Sequence, residues 1–286
     1  MSVPFGPYQL TAKLGTGDMG TVYKATDTRT GNEVALKVLD KLSRLSSSLE
    51  RDAAVELIEF AATIQHEGLH RIQEVVEIED ETGGKLGIAM PLASAQSLYD
   101  HLSTGKRLAQ RHAYMVIEKI AEALIFLHNQ EVAHGSIKPT NVLLEQNAKF
   151  TITDLPMAHL RELGFVPNAP SQLQQYYLLS ESTYLSPPSI ASDIFALGVL
   201  TYHVLTGRLP FDDPEPEARN IPNGEGLMPL VHSVLLRAMT SRPILAYPSV
   251  VEFIGDLQLA RDGQQIASET AQWFTVKPKD PPPDES

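Results

Sequence analysis

Hydrophobic and polar residues alternate along the first third of the chain, with glycines between the alternating runs. Alternation of this kind is typical of β-strands that bury one face. One helical stretch, residues 48–65, interrupts the alternation. The runs that predict strands are residues 8–14, 21–25, 33–39, 71–77 and 85–90.

The spacing of apolar residues changes to a helical period from Ser97 onward. Residues 111–129 carry apolar side chains three and four positions apart, which predicts a buried amphipathic helix. Residues 192–205, 226–239 and 248–261 predict further helices. A small strand-rich part followed by a larger helical part predicts an α+β fold with two lobes and a cleft between them.

This pattern divides the chain into three parts. We expect residues 1–93 to form the strand-rich lobe and the hinge, and residues 94–268 to form the helical lobe. Residues 269–286 end in the Pro-rich, charged run VKPKDPPPDES, whose composition predicts a disordered tail.

Composition narrows the class of protein. The chain has 286 residues, of which 43% are hydrophobic, enough for a large core. It has no cysteine, which excludes disulfides and thiolate metal sites and fits a reducing, cytoplasmic compartment. The net charge of −12 argues against nucleic acid or an anionic membrane as the main partner. The sequence shows neither a signal peptide nor an apolar stretch long enough for membrane insertion.

Three glycines, Gly15, Gly17 and Gly20, form the pattern GxGxxG in the run GTGDMGTVYKATDTRTGNEVALKVL. The pattern alone is weak, because dinucleotide-binding folds share it, but there a helix follows. Here the next residues predict a strand, so the glycines form a flap between two strands. Backbone N–H groups of such a flap approach phosphates closely because side chains are missing. Lys37 then ends the strand motif VALK.

The whole run resembles the first three strands of Hanks-type serine/threonine protein kinases, particularly the bacterial ones. The resemblance implies a bilobal protein-kinase-like fold with ATP as its ligand. It implies that Lys37 contacts the α- and β-phosphates and pairs with a Glu of the next helix. Glu56 is the first candidate for that Glu, and Glu59, one turn later, is the second.

The same resemblance implies where the adenine ring binds. The interlobe hinge is the run MPLA, with the Met90 side chain behind the adenine. The Pro91 carbonyl and the Ala93 N–H are the backbone groups expected to hold the ring. Val22 and Ala35 complete the expected set of nucleotide contacts.

Residues 134–144 read HGSIKPTNVLL and resemble the kinase catalytic loop HRDLKPxN[IV]LL. In the family an Asp of this loop accepts the proton of the substrate hydroxyl, and an Arg precedes it. Here Ser136 replaces that Asp, and Gly135 replaces the Arg. A serine has no base pKa near neutrality, so it does not accept that proton. Lys138 and Asn141 are retained at their catalytic positions.

Asn141 and Asp154 match the two Mg²⁺ ligands of the family, and oxygen ligands are what Mg²⁺ requires. Asp154 opens the run DLP, where the family has DFG. We expect Pro156 to hold Leu155 in extended geometry and to make this loop flip less easily.

Further family residues are replaced. In the family a Glu closes the activation segment and pairs with a buried Arg. Here Pro188 stands at the position of that Glu, and Tyr247 at the position of that Arg. Removing one end of a buried ion pair costs about 3–5 kcal/mol, whereas replacing both ends can be near neutral. Glu181 takes the place of a Thr near the catalytic Lys, and we expect its carboxylate to pair with Lys138. Asp193 matches the residue that braces the catalytic loop.

The retained glycines, Lys37, Asn141 and Asp154, set against Ser136, favour a pseudokinase. Such a protein binds ATP and Mg²⁺ and acts as a regulatory or scaffolding module with protein partners. One alternative is a weakly active serine/threonine kinase that transfers the γ-phosphate of ATP to protein hydroxyls. Another is a nucleotide-free scaffold in which Asp18 repels phosphates. A transferase that moves a different part of ATP is the third.

Overall fold

A computed structural model describes residues 3–17, 19–39, 48–80, 83–93, 96–104, 108–144, 149–163, 171–179, 186–215, 219–220 and 222–263. The predicted tail, Asp18 and Glu181 lie outside these residues.

The first part of the described chain is an antiparallel sheet whose strands follow the order β1-β2-β3-β4-β6-β5. Each of the five runs predicted as strands overlaps one of its strands, although the run 71–77 begins three residues before its strand, and a short first strand is added. One helix, α1 (Ser48–Thr63), crosses between β4 and β5. The strands are β1 (Val3–Phe5), β2 (Tyr8–Gly17), β3 (Gly20–Asp27), β4 (Glu33–Val38), β5 (Glu74–Asp80) and β6 (Gly83–Pro91).

The second part is mainly helical. Its small sheet has the order β7-β8-β9, built from Gln96–Ser97, Val142–Leu144 and Phe150–Ile152. The helices are α2 (Leu98–Ser103), α3 (Gln110–His128), α4 (Pro156–Glu162), α5 (Gln172–Gln175), α6 (Ile190–Thr206), α7 (Pro229–Ala238) and α8 (Val250–Arg261).

Helix α6 is the centre of the helical lobe. Its side chains are buried on nearly every face, and it packs against both α3 and α7. A helix that is apolar all round requires neighbours on all sides. The α+β, two-lobed architecture expected from the sequence is thereby confirmed.

The two faces of the first sheet bury different clusters. Leu36 packs with Phe5 and Tyr8 on one face, whereas Ala35 and Met90 belong to the main core on the other. Successive side chains of a strand point to opposite faces. Lys37 therefore shares the face of Ala35, toward the second lobe.

Within the described residues, no helix has the length and apolar character needed to cross a bilayer.

Candidate functional site

Lys37 and Asp154 form an ion pair between the two lobes. The Lys37 Nζ lies 2.7 Å from the Asp154 Oδ2, and the lysine is only 3% exposed. Burial alone raises the pKa of the Asp154 carboxyl, but the neighbouring Lys37 and Lys138 ammonium groups outweigh it and lower the pKa. Asp154 is therefore ionised at neutral pH.

The expected pairing of Lys37 with a Glu of α1 is not found. Glu56 and Glu59 are both exposed, and within the described part of the chain neither is bonded to Lys37. The reason is the rotation of the helix, because Ala54 and Ile58 define its buried face. Glu56 is two positions from each of these residues and lies about 200° around the helix from them, whereas Glu59 follows Ile58 by one position and lies about 100° from it, so neither is on the buried face.

Strand register gathers the other predicted nucleotide contacts beside Lys37. Gly15 pairs with Val22, and Val22 pairs with Lys37, so these residues form one row across β2, β3 and β4. In the neighbouring row, Ala35 pairs with Met90.

The three glycines of the flap meet different surroundings. Among the described residues, a Cβ built on Gly15 meets no atom within 4 Å, and one on Gly17 meets only the Gly20 carbonyl oxygen at 3.9 Å. A Cβ on Gly20 lies 2.0 Å from the Val38 carbonyl oxygen. Gly20 is thus required by the packing of the strands, whereas the other two leave open space.

The predicted hinge is buried at one end and accessible at the other. Met90 is 6% exposed, while Ala93 is partly exposed. The His70 Nε2 lies 3.0 Å from the Pro91 carbonyl oxygen. A carbonyl oxygen only accepts hydrogen bonds, so the His70 Nε2 carries the proton. The oxygen has a second lone pair for a further donor.

Asp193 holds the backbone of the predicted catalytic loop, as expected. Its buried carboxylate accepts hydrogen bonds from the His134 N–H and the Gly135 N–H, both at 2.7 Å. The His128 Nε2 lies 2.9 Å from the same group. Burial lowers the pKa of His134 to about 4, so its ring is neutral at neutral pH.

Ser136 stands at the predicted base position with its hydroxyl already engaged. The Asn141 Nδ2 donates to the Ser136 carbonyl at 2.9 Å and to the Ser136 Oγ at 3.1 Å. The carbonyl contact fixes the orientation of the Asn141 amide, because a carbonyl accepts only from the NH₂ end. The Asn141 Oδ1, which also accepts a hydrogen bond from the Thr140 hydroxyl at 3.4 Å, is therefore the end of the amide that can ligate a cation.

The DLP run adopts a geometry different from the expected one. Asp154 has a φ of 73°, and Leu155 is helical, with φ −49° and ψ −48°. The prediction of an extended Leu155 is therefore wrong. Pro156 occupies the first position of α4. A backbone N–H at that position has no partner within the helix, so its absence in proline costs nothing, and the fixed φ of proline suits the helix. Helix initiation outweighs the usual restriction on the residue before proline.

Helix α4 packs against α1, and its polar side chains bond to the backbone at the start of the catalytic loop. The His159 Nε2 lies 2.8 Å from the Ala133 carbonyl oxygen, and the Arg161 Nη2 donates to the Gly135 carbonyl at 3.3 Å. Arg161 is 5% exposed. The chain after Asp154 is therefore packed into the protein rather than extended over its surface.

Lys138 donates to an unexpected partner. Its Nζ lies 2.8 Å from the Gln174 Oε1, and both residues are buried. Glu181, the partner expected from the sequence, lies outside the described residues.

Pro188 and Tyr247 are each packed without the family ion pair. Pro188 fills the space beside Gly135, since a Cβ on Gly135 would lie 2.4 Å from the Pro188 Cβ. The Tyr247 hydroxyl donates to Asp256 at 2.9 Å, and the Arg237 guanidinium lies 4.1 Å from the Tyr247 ring centroid. Each replaced position has acquired its own neighbours.

Sequence reasoning missed the contributions of α4 and α5. Gln174 carries no charge and lies in a run of glutamines, QLQQ, that predicts no chemistry. His159 and Arg161 lie in the run PMAHLRE, and its opening proline, which favours the first position of a helix, is the signal that could have placed them on a helix.

The donor set fits ATP with Mg²⁺. Asp154 is ionised and Asn141 presents an amide oxygen, and both are ligands that Mg²⁺ accepts. Lys37 supplies a cation for phosphates.

Comparisons with known proteins agree with the sequence motifs. The protein kinase domain model matches residues 8–257. A probable serine/threonine-protein kinase of Streptomyces coelicolor is 28% identical over 93% of this chain and 42% of its own length. The kinase PknB of Mycolicibacterium smegmatis is 28% identical over 90% of this chain and 43% of its own. An Aurora kinase of Schizosaccharomyces pombe is 32% identical over 73% of this chain and 57% of its own. The chain spans about half the length of these relatives.

Proposed function

The chain belongs to the protein kinase domain family, and on this premise we propose that it is a pseudokinase that binds ATP with Mg²⁺ and serves a regulatory or scaffolding role. One observation carries the proposal. The Lys37–Asp154 pair is intact at 2.7 Å, while the base position is a serine whose Oγ accepts a hydrogen bond from Asn141.

The retained residues divide the work of holding the nucleotide. Gly15, Gly17 and Gly20 supply the flap over the phosphates, and Lys37 supplies their counter-charge. Val22, Ala35, Met90 and the backbone of Ala93 enclose the base. Asp154 and the Asn141 Oδ1 hold Mg²⁺, which neutralises phosphate charge when bound. Because Glu56 is exposed, Lys37 forms its ion pair with Asp154 in this conformation.

The replaced residues remove the proton-accepting step. A hydroxyl has no affinity for a proton near neutral pH, and the Ser136 Oγ already uses a lone pair for the Asn141 N–H. Loss of a general base lowers a rate by roughly 10²- to 10⁴-fold. Lys138, two residues after Ser136, donates a hydrogen bond to Gln174.

The proposed domains, partners and cellular setting rest on the sequence. The proposed lobes are residues 1–93 and 94–268, with the nucleotide between them, and the predicted tail, residues 269–286, lies outside the described residues. Proteins of a signalling system are the proposed partners, in a cytoplasmic setting that the lack of cysteine favours. The net charge of −12 disfavours nucleic acid.

Binding and transfer can be measured on one sample. Purified protein is incubated with Mg²⁺ and γ-labelled ATP, and the label is counted after gel filtration and again after denaturation. We expect the folded protein to retain label that denaturation releases. Label that stays covalently attached after denaturation, and that Lys37→Met abolishes, would show a weakly active kinase instead. No retained label at millimolar ATP would favour the nucleotide-free scaffold.

A further inference from the structure

An apolar groove lies on the helical lobe between the start of α3, the end of α6 and the chain that leads into α7. None of its described lining residues belongs to the nucleotide site. Its volume of about 200 Å³ exceeds the roughly 10–15 Å³ that a single water needs, so it has room for larger groups. A continuous apolar surface of this kind marks a place where another apolar group binds. Its apolar lining residues include Leu108, Tyr114, Leu205, Leu227, Met228 and Val231.

The described chain ends beside this groove. Arg261 is the last residue of α8, and its guanidinium carbon lies 5.4 Å from the ring centroid of Tyr114, which lines the groove. The Arg261 Nη1 also donates to Glu118 of α3 at 2.9 Å. Gly263 then has a φ of 70°, in the left-handed region that turns a chain out of a helix. The chain beyond Gly263 therefore starts close to the groove.

Two adjacent aromatic residues follow in the sequence. Trp273, the single tryptophan of the chain, and Phe274 stand in the mostly polar run QQIASETAQWFT. Aromatic side chains bury about 150–250 Å² each, so an apolar surface that covers them is favoured over water. The Pro-rich, charged composition that predicts disorder begins only at Val276. The aromatic pair is therefore the part of the tail that is suited to an apolar groove.

The length of chain between α8 and the aromatic pair permits this contact. Trp273 is ten positions after Gly263, and ten residues span at most about 33–36 Å. A flexible chain of ten residues has an average end-to-end distance of about 16–19 Å. A tether this short gives the pair an effective concentration on the order of 1 mM at the groove. The chain's own tail is thus favoured over a partner that is present in free solution at a lower concentration.

We propose that the groove between α3, α6 and α7 binds the chain's own Trp273 and Phe274, whose rings pack against Tyr114, Leu227 and Met228. The proposal goes beyond the proposed function, because it concerns a face of the helical lobe that takes no part in holding the nucleotide. It implies that a partner protein which binds this face has to displace the tail.

Fluorescence of Trp273 tests the proposal on the whole chain without nucleotide, so the result does not depend on whether ATP binds. The single tryptophan makes the signal specific. If the groove binds the pair with a dissociation constant of roughly 0.3 mM, an effective concentration of about 1 mM leaves about one quarter of the tails free. We therefore expect emission at shorter wavelength, and acrylamide quenching about four-fold slower, than in a variant that cannot bind.

Variants of the groove and of the tail provide the comparison. Met228→Glu places a charge in the groove at a side chain that is 40% exposed, so the fold tolerates it, and quenching should rise about four-fold. Phe274→Ser removes one ring of the pair without changing the described lobe, and it should also raise quenching. Val251→Glu is the matched control, because Val251 is 59% exposed and lies at the opposite end of α8 from Arg261. It should keep the wild-type rate of quenching.

Three results would overturn the proposal. One is wild-type quenching as fast as that of Met228→Glu and Phe274→Ser, which would mean that Trp273 is exposed to solvent. Another is protection that Met228→Glu leaves intact, or that Val251→Glu removes equally, which would place Trp273 on a different surface. The third is protection that disappears on dilution, which would mean that a second copy of the chain covers the aromatic pair.

Discussion

Gly135 and Pro188 occupy positions where the family has charged residues, and they pack against each other. Gly135 has a φ of 66°, in the left-handed region, and a Cβ there would lie 2.4 Å from the Pro188 Cβ and 2.6 Å from the Ala158 Cβ. An arginine cannot return at position 135 without moving Pro188 and α4. The two replacements therefore depend on each other through packing.

Because of this packing, adding a single methyl group at position 135 is expected to destabilise the protein. We expect Gly135→Ala to lower the free energy of unfolding by roughly 2–4 kcal/mol, because left-handed strain and overpacking add. Gly31→Ala is the matched control, since Gly31 has a φ of 76° but open space around its Cβ. That variant should lose only about 1–2 kcal/mol. Equal losses in urea denaturation would contradict the packing of Pro188 against Gly135.

At the residue scale, the sequence predicts which side chains matter better than it predicts their partners. The VALK motif identifies Lys37, but the partner depends on how α1 is rotated, and that is set by Ala54 and Ile58 against the core. Likewise the DLP run identifies Asp154, but Leu155 is helical because α4 begins at Pro156. Neither the rotation of α1 nor the helical conformation of Leu155 can be predicted from a local motif, because both depend on tertiary packing.

The contact between Tyr177, which follows α5, and His203 of α6 makes the stability of the protein depend on pH. Burial lowers the pKa of His203 to about 4 and raises the pKa of Tyr177 well above its usual value. The tyrosine therefore stays protonated beside a neutral imidazole, with its hydroxyl 2.9 Å from the His203 Nδ1. Between pH 6.5 and 4 the unfolded chain binds a proton at His203 that the folded chain does not, so stability falls as pH is lowered.

We expect this histidine to account for roughly 2 kcal/mol of the stability lost between pH 7 and pH 5. His203→Gln keeps an acceptor for Tyr177 but does not titrate, so the decline of its unfolding free energy with falling pH should be shallower by that amount. His134 titrates in the same direction in every variant. His112→Gln, an exposed control on α3, should keep the wild-type slope. A His203→Gln slope equal to the wild-type slope would show that His203 is protonated as easily in the fold as in the unfolded chain.

At the element scale, long periodic segments are predicted well and short ones are missed. The alternation predicts β2, β3 and β4 from nearly their first residues, and the apolar spacing predicts α3 and α6 within two residues of their ends. Helices α2, α4 and α5 span seven residues or fewer, too few for a period to stand out. Their stability comes from tertiary contacts, such as the Gln174–Lys138 bond, which no local pattern shows.

At the scale of the whole molecule, the two lobes meet through the charged groups of the site. Lys37 comes from the sheet lobe and Asp154 from the helical lobe, and their 2.7 Å contact joins β4 to the chain that leads into α4. Helix α4 in turn contacts α1, and its Arg161 donates to the Gly135 carbonyl of the catalytic loop. ATP with Mg²⁺ would bind where Lys37 and Asp154 now pair, so binding is expected to change how the lobes contact each other.

Calorimetric titration of the protein with Mg·ATP tests the central claim most directly. Lys37→Met and Asp154→Asn remove the two charges of the site. Lys24→Met is the control, since Lys24 lies on the neighbouring strand and pairs with Glu33 at the surface. The account predicts one-site binding that requires Mg²⁺, that is unchanged in Lys24→Met, and that is weakened at least about ten-fold, or 1.4 kcal/mol, in the other two. No heat of binding at millimolar Mg·ATP, or binding that is equal in all four proteins, would contradict it.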